Sequence, residues 1–373
     1  MPFLLFAIAL IYGCVCTYLY FLIKRFLKVF FDCEITHFQK LTIRFLSVAA
    51  STAAVIFFGY GIVFVFYMAI FDVAFSFIRL ILRKTLWKKR EEPKASYRLI
   101  KSGVISAVAS AVVVVLGIIN FHNVVKTEYT VYTDKNIRDE GYKAAFISDV
   151  HFGMSLNLEE LREVCNEISR ENPDIVVLGG DIIDSSTNAG SLEPLFEALG
   201  GIRSRYGVFY IFGNHDKPMG EMASWVSKRE LSSVIEDAGI EILCDKVFSI
   251  GDDFVIAGRE DRGFHGAKRQ AMEKLLSEVS RDKFILTLDH QPSEYEENNE
   301  AGVDLIISGH THGGQVWPVN IIDNIFKMNE ANYGYVEIDE DTSAIVSSGL
   351  AGWGFTVKTA APAEYVIVNI KKR

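Results

Sequence analysis

The chain opens with long apolar stretches and closes with short ones. Residues 2–23 are apolar, carry no charge and are long enough to span a bilayer. Basic residues follow this run rather than precede it, which argues against a cleaved signal peptide. A second apolar stretch, 45–82, is broken only by Asp72 and Arg79. As one helix it would extend about 57 Å, against a hydrocarbon core of about 30 Å, so it is expected to fold as two spans with a turn near Gly59-Tyr60-Gly61. Residues 102–121, rich in Val, Ala and Ile, are the last such stretch. The pattern predicts an all-α transmembrane region over 1–126 with about four spans: 3–23, 45–62, 64–82 and 102–121.

From about residue 128 the apolar runs shorten and alternate with amphipathic stretches. Strands are expected at 128–132, 143–147, 175–178, 208–212, 254–257, 284–288, 304–307, 333–338, 344–347 and 365–370. Helices are expected at 158–171, 192–200, 222–238 and 268–280. Runs bounded by turns, with helices between them, define an α/β layered domain over 127–373.

Charge changes this picture in two ways. Lys24, Arg25, Lys28, Lys40 and Arg44 follow the first span, and Arg83, Lys84, Lys88, Lys89, Arg90, Lys94, Arg98 and Lys101 precede the last. Both basic loops favour the cytoplasm, which places the N-terminus and the layered domain on the other side of a cell membrane, expected to be bacterial. Residues 1–126 carry 15 Lys and Arg against 5 Asp and Glu, which leaves 127–373 at a formal −19. So acidic a domain repels nucleic-acid backbones, and no nucleic-acid partner is expected. The five cysteines form no metal spacing. Cys165 and Cys244 are expected as buried thiols, with a bridge between them as the alternative.

The chemistry lies where the short runs end. Asp149-Val150-His151 follows one strand, Gly179-Gly180-Asp181-Ile182-Ile183-Asp184 the next, and Gly213-Asn214-His215-Asp216 the third. Asp289-His290-Gln291-Pro292 and Gly309-His310-Thr311-His312-Gly313-Gly314-Gln315 follow two later ones. Of eight histidines, five fall in these loops, whereas His37, His122 and His265 have no such context. Ligands of open α/β sheets bind beyond the carboxyl ends of strands. Mixed nitrogen and oxygen donors without thiolate suit manganese, iron or zinc. Seven such donors are enough for two ions sharing one carboxylate, a pair that clamps phosphate oxygens and acidifies water. His215 beside Asp216 has the form of an imidazole and its carboxylate partner. Asp184 either orients a neighbour or caps the next helix.

In their order, these motifs resemble the calcineurin-like metallophosphoesterases over roughly residues 140–370. The Gly-His-Thr-His-Gly-Gly-Gln stretch is similar to that of a bacterial subgroup tethered by N-terminal membrane spans. The resemblance implies a four-layer αββα sandwich and hydrolysis of phosphate esters, whether mono- or diesters, at a dinuclear site. It implies that Asp149, His151 and His312 hold one divalent ion and Asn214, His290 and His310 the other, with Asp181 bridging. It also implies that His215 contacts substrate phosphate and acts as general acid, with Asp216 behind it. One departure stands near the C-terminus, where the subgroup carries an Arg and this chain has Lys358. If that position contacts substrate, Lys358 keeps the charge but loses the bidentate fork.

Two other readings stay open: a pyrophosphatase of a nucleotide-linked lipid precursor, and a catalytically silent membrane scaffold or metal-binding module. About seven residues separate the last span from the first strand, so the domain is expected close to the bilayer. A lipid-linked phosphate is therefore one candidate substrate. The alternative is that the spans only fix the compartment.

Overall fold

The structure, a computed structural model, describes residues 2–31, 35–56, 59–85, 94–185, 187–216, 225–262 and 269–373. Lys88, Lys89, Arg90, Cys33 and His265 lie outside these residues, as do residues 222–224 and 268, the starts of two expected helices. The chain forms two compact units, Met1–Ile118 and Ile119–Arg373.

The first unit is helical: α1 (Pro2–Phe31), α2 (His37–Ile56), α3 (Tyr60–Thr85), α4 (Lys94–Ser102) and most of α5 (Val104–His122). Three described segments, Ala9–Phe31, Tyr60–Thr85 and Val104–His122, are long and apolar enough to cross a membrane. The helix α2 is equally long but opens on the polar residues His37, Gln39 and Lys40. Gly59, at φ 97°, stands between α2 and α3, and Gly61 lies inside α3. The polar residue buried on α3 is Asp72, which accepts from Tyr18 Oη (3.0 Å) and Ser106 Oγ (2.8 Å) and pairs with Arg25.

The second unit contains strands β1 (Val124–Thr133), β2 (Tyr142–Ile147), β3 (Ile175–Leu178), β4 (Val208–Tyr210), β5 (Ile240–Ile242) and β6 (Lys246–Ile250). They are followed by β7 (Phe254–Gly258), β8 (Phe284–Leu288), β9 (Leu305–Ser308), β10 (Gly334–Glu337), β11 (Ser343–Val346) and β12 (Ala363–Lys372). The helices are α6 (Leu158–Arg170), α7 (Leu192–Gly200), α8 (Lys228–Asp237), α9 (Met272–Leu275), α10 (Tyr295–Glu300) and α11 (Val319–Phe326). Two six-stranded sheets result, ordered β1-β12-β2-β3-β4-β5 and β10-β11-β9-β8-β7-β6. The strands β2 to β5 run parallel, as do β7, β8, β9 and β11.

Parallel strands covered on both faces read as unbroken apolar runs, and each run here divides its side chains between two cores. Ala145, Ile147, Val176 and Leu178 pack under α6, α7 and α8. Their neighbours Ala144, Phe146, Ile175 and Val177 meet Leu286, Leu288, Leu305 and Ile307 of the other sheet. On that sheet's outer face Ile285, Ile306, Ala344 and Val346 pack with Met272 and Leu275 of α9 and with Tyr295. The layers are therefore helix, sheet, sheet, helix, as the four-layer expectation required. The helix α6 starts sharply because Asn157 accepts from the Glu159 and Glu160 amides while the Glu160 carboxylate returns to the Asn157 amide.

Cys165 and Cys244 are free thiols, and burial pushes both up to about 12. The expected 268–280 helix is confined to Met272–Leu275. A single residue, Asn123, separates α5 from β1, fewer than the seven expected.

Candidate metal centre

The exits of β2, β3, β4, β8 and β9 bring all seven expected ligands together. Asp149 follows β2 and accepts the His310 amide on both oxygens (3.1 Å). His151 Nδ1 pairs with Asp184 Oδ2 (3.1 Å), so the other nitrogen, Nε2, faces inward, buried and without a hydrogen-bond partner, 3.9 Å from Asp181 Oδ2. His290 Nδ1–H donates to the Gly179 carbonyl (2.8 Å); its Nε2 lies 3.2 Å from Asp181 Oδ2 and 3.1 Å from Asn214 Oδ1. His312 Nδ1–H donates to the Ala351 carbonyl (3.2 Å), which directs Nε2 to within 3.8 Å of Asp149 Oδ1. The His310 ring lies 5.2 Å from that of His290. A carbonyl can only accept, so these backbone partners fix Nδ1 of His290 and His312 as a protonated donor and turn both Nε2 atoms to the site; on His312 that Nε2 is a lone-pair donor.

The donor atoms of Asp149, His151 and His312 all lie within 4.8 Å of one another, and so do those of Asp181, His290 and His310. His151, Asp184 and His215 make a third such group, in which Asp184 holds the opposite nitrogen of His151 from the one that faces Asp181. Asp184 is thus the residue that orients His151. Asp181 Oδ2 lies between the first two groups, and Asp181 Oδ1 accepts the His215 amide (2.7 Å).

Backbone conformation makes this convergence possible. Asp149, His151, Asp181, His310 and His312 all have positive φ, between 39° and 71°, which turns each loop sharply beyond its strand. Asp and His tolerate this region better than bulky or branched residues, and local strain of this kind collects at functional sites. Close approach requires glycine at two neighbours: a Cβ on Gly213 would lie 2.1 Å from Asp181 Oδ1, and one on Gly309 2.3 Å from Asp149 Oδ2.

The electrostatics are those of a cation site. Burial would raise the Asp149 and Asp181 carboxyls, but the surrounding imidazoles hold both below the usual carboxylate range. Burial lowers His310 and takes His312 down to about 3, leaving neutral donors. On His151 and His290 burial is outweighed by the carboxylates, which raise both. The two acids thus draw positive charge into the site. The inward nitrogen of His151 and the mixed imidazole, carboxylate and amide set fit divalent ions of the manganese, iron or zinc type.

One expectation needs correction, and the condition set on Lys358 is not met. Asp216 does not use its oxygens on the His215 ring: Oδ1 accepts the Ile182 and Ile183 amides and Oδ2 those of Asp181 and Gly213, at 2.7–3.0 Å. Burial and Asp181 push this carboxyl up to about 6, while four amide donors favour its ionised form. Asp216 pins the Asp181 and Gly213 loops together. Lys358 does not reach a substrate surface: it is fully buried, and Nζ donates to the carbonyls of Ser348 (2.6 Å), Ala351 (3.1 Å) and Gly349 (3.4 Å). Sequence reasoning missed Trp353, half-exposed with its ring 5.4 Å from His215. It also missed how Gln315 holds that loop, accepting the Trp353 amide (2.9 Å) and donating to the Phe355 carbonyl (2.8 Å). The glutamine was visible as the end of the histidine motif; nothing in the sequence marked the tryptophan.

An αββα sandwich with carboxylate, imidazole and amide donors at its strand exits defines a metal-dependent phosphoesterase. The chain belongs to the calcineurin-like phosphoesterase family, whose pattern matches residues 142–314. An uncharacterized metallophosphoesterase of Aquifex aeolicus is 30% identical over 249 residues, 65% of this chain and 90% of that one. One of Campylobacter jejuni is 29% identical over 304 residues, covering 80% and 77%. A Danio rerio protein named transmembrane protein with metallophosphoesterase domain is 26% identical over 331 residues, covering 84% and 72%. This chain itself has, among the described residues, three helices long and apolar enough to cross a membrane.

Proposed function

We propose that this is a multi-pass membrane phosphoesterase of the Gly-His-Thr-His-Gly-Gly-Gln subgroup that hydrolyses a phosphate or pyrophosphate carried on a bilayer lipid. The observation that carries the catalytic half is Asp181 Oδ2, which lies 3.2 Å from His290 Nε2 of its own group and 3.9 Å from His151 Nε2 of the other. In this reading Asp149, His151 and His312 hold one divalent ion, Asn214, His290 and His310 the other, and Asp181 both. When bound, such a pair supplies an acidified water for in-line attack on phosphorus and positive charge for the phosphate oxygens.

The chain's own residues do the rest. Asp184 and the Gly179 and Ala351 carbonyls fix three imidazole orientations. His215, which the ligand set leaves unused, binds the phosphate and hands a proton to the leaving oxygen. Its ring stands edge-on to His151 (4.9 Å) with Trp353 on its outer side. Burial lowers the His215 imidazole, so the negative charge of a bound phosphate is what returns it to the protonated form.

The lipid half rests on the apolar helices in the same chain and on the single residue between α5 and β1. The test is the full-length protein in phosphatidylcholine vesicles with Mn²⁺, offered a lipid phosphate, a lipid-linked pyrophosphate and water-soluble esters. Faster turnover of a bilayer-borne substrate is expected. Turnover confined to soluble substrates would reject the lipid assignment and leave the esterase.

A further inference from the structure

The helix α11 is inside out. Its acid, Asp323, is buried and accepts from Asn329 and Asn332. Its apolar residues, Val319, Ile321, Ile322, Ile325 and Phe326, are all exposed, the last two at 69% and 73%. Trp317 and Met328, just beyond the two ends of the helix, are exposed as well. A surface helix in water shows the opposite arrangement, and a contiguous exposed apolar patch of this kind marks an interaction surface.

Its position says what covers it. The chain reaches α11 directly from the metal-site motif, through Gln315 and Trp317. Gln315 also holds the loop of Trp353, the second exposed indole and the one beside His215. The 358–361 segment joins this region to the end of α5. The Thr359 amide donates to the Gln315 carbonyl (2.8 Å), and the Trp317 amide donates to Thr359 Oγ1 (3.0 Å). From the other side, Asn120 Nδ2 donates to the carbonyls of Lys358 and Ala361 (3.0 Å each). Asn120 lies in the last turn of α5, the part of a candidate membrane span that belongs to the catalytic unit. One segment therefore ties a span's end, the metal-site motif and the apolar helix together.

We infer that α11, with Trp317 and Trp353, docks on the bilayer surface at headgroup level and presents the mouth of the metal site to phosphates held there. The inference deepens the membrane reading given above and rests on it. Indoles suit the interface between headgroup and acyl chain, and aliphatic side chains enter below it. The docking is apolar rather than electrostatic. The domain carries a formal −19, Asp323 is turned inward, and α11 itself has no basic residue. Neutral phosphatidylcholine is therefore sufficient, and added salt does not release the helix.

The test uses the full-length protein in dioleoylphosphatidylcholine vesicles, with Ile325 replaced by the photoreactive p-benzoylphenylalanine. A lipid adduct on illumination, unchanged by salt, is expected. The same probe at exposed Glu340, which precedes β11 and so lies at the other end of its sheet, should give none. Adducts to a second copy or to another protein without lipid, or equal lipid adducts at both positions, would overturn the inference. A second arm uses Ile325→Glu with Phe326→Glu. Withdrawing one such side chain from an apolar phase is worth about ten- to hundredfold in a partition equilibrium. Turnover of a bilayer-borne phosphate should therefore fall about tenfold or more, while turnover of a water-soluble aryl phosphate stays unchanged and shows that the domain is folded. Equal rates on both substrates before and after substitution would overturn the presenting role. A lipid adduct with no lipid phosphate hydrolysed by the unsubstituted protein would reject the substrate and keep the docking.

Discussion

His215 and Lys358 show how little a residue's type says about its task until its surroundings are known. His215 stands at the site without a place in either ligand group built on Asp149 or Asp181. We predict that His215→Ala keeps its metals and loses about 10²–10⁴-fold in rate. The loss should shrink for esters with good leaving groups, which need less protonation; steady-state rates over a leaving-group series measure this, and a uniform loss would assign His215 to phosphate binding alone. Lys358 is a charged residue with a structural task. It gathers the carbonyls of Ser348, Gly349 and Ala351, and Ala351 in turn orients His312. Lys358→Met leaves those buried acceptors short of donors, at a cost of about 1–3 kcal/mol. The thermal midpoint should fall while the affinity for substrate in the residual folded protein changes little. A selective rise in KM without loss of stability would return Lys358 to the substrate.

At the level of elements, the strands were legible and their helices less so. The runs at 175–178 and 284–288 are bounded by glycine, aspartate and lysine, and β3 and β8 keep those limits. β5 and β6 escaped notice because Ile240–Ile242 is three residues long and Lys246–Ile250 lies half-exposed. α11 escaped for a different reason: its pattern is helical, but its apolar face looks outward. The candidate ligands were readable because each follows an apolar run. The roles of Asp216, Lys358 and Trp353 were not, because hydrogen bonds to distant backbone leave no trace in local spacing. Asn120 belongs to the same class. Asn120→Ala removes both its bonds to the 358–361 segment and should destabilise the catalytic unit by about 1–3 kcal/mol, seen as a lower thermal midpoint, with metal content unchanged. An unchanged midpoint would mean that the end of α5 does not brace that segment.

For the molecule as a whole, the proposed topology puts the basic loops at 24–44 and 83–101 in the cytoplasm and the catalytic domain outside it. A reporter active only outside the cytoplasm, joined after residue 126, should be active in cells; activity of a cytoplasmic reporter at the same junction would reverse the topology. That outcome would place nucleotide-linked substrates within reach. The claim on which everything else depends is the pair of ions shared by Asp181. Its most direct measurement is metal content of the purified full-length protein after loading with Mn²⁺ and removal of free ion. We predict two ions per chain, about one in His151→Ala, and weakened retention of both in Asp181→Asn, with ester hydrolysis lost in parallel. Two ions held as tightly in Asp181→Asn as in the unsubstituted protein would contradict the account.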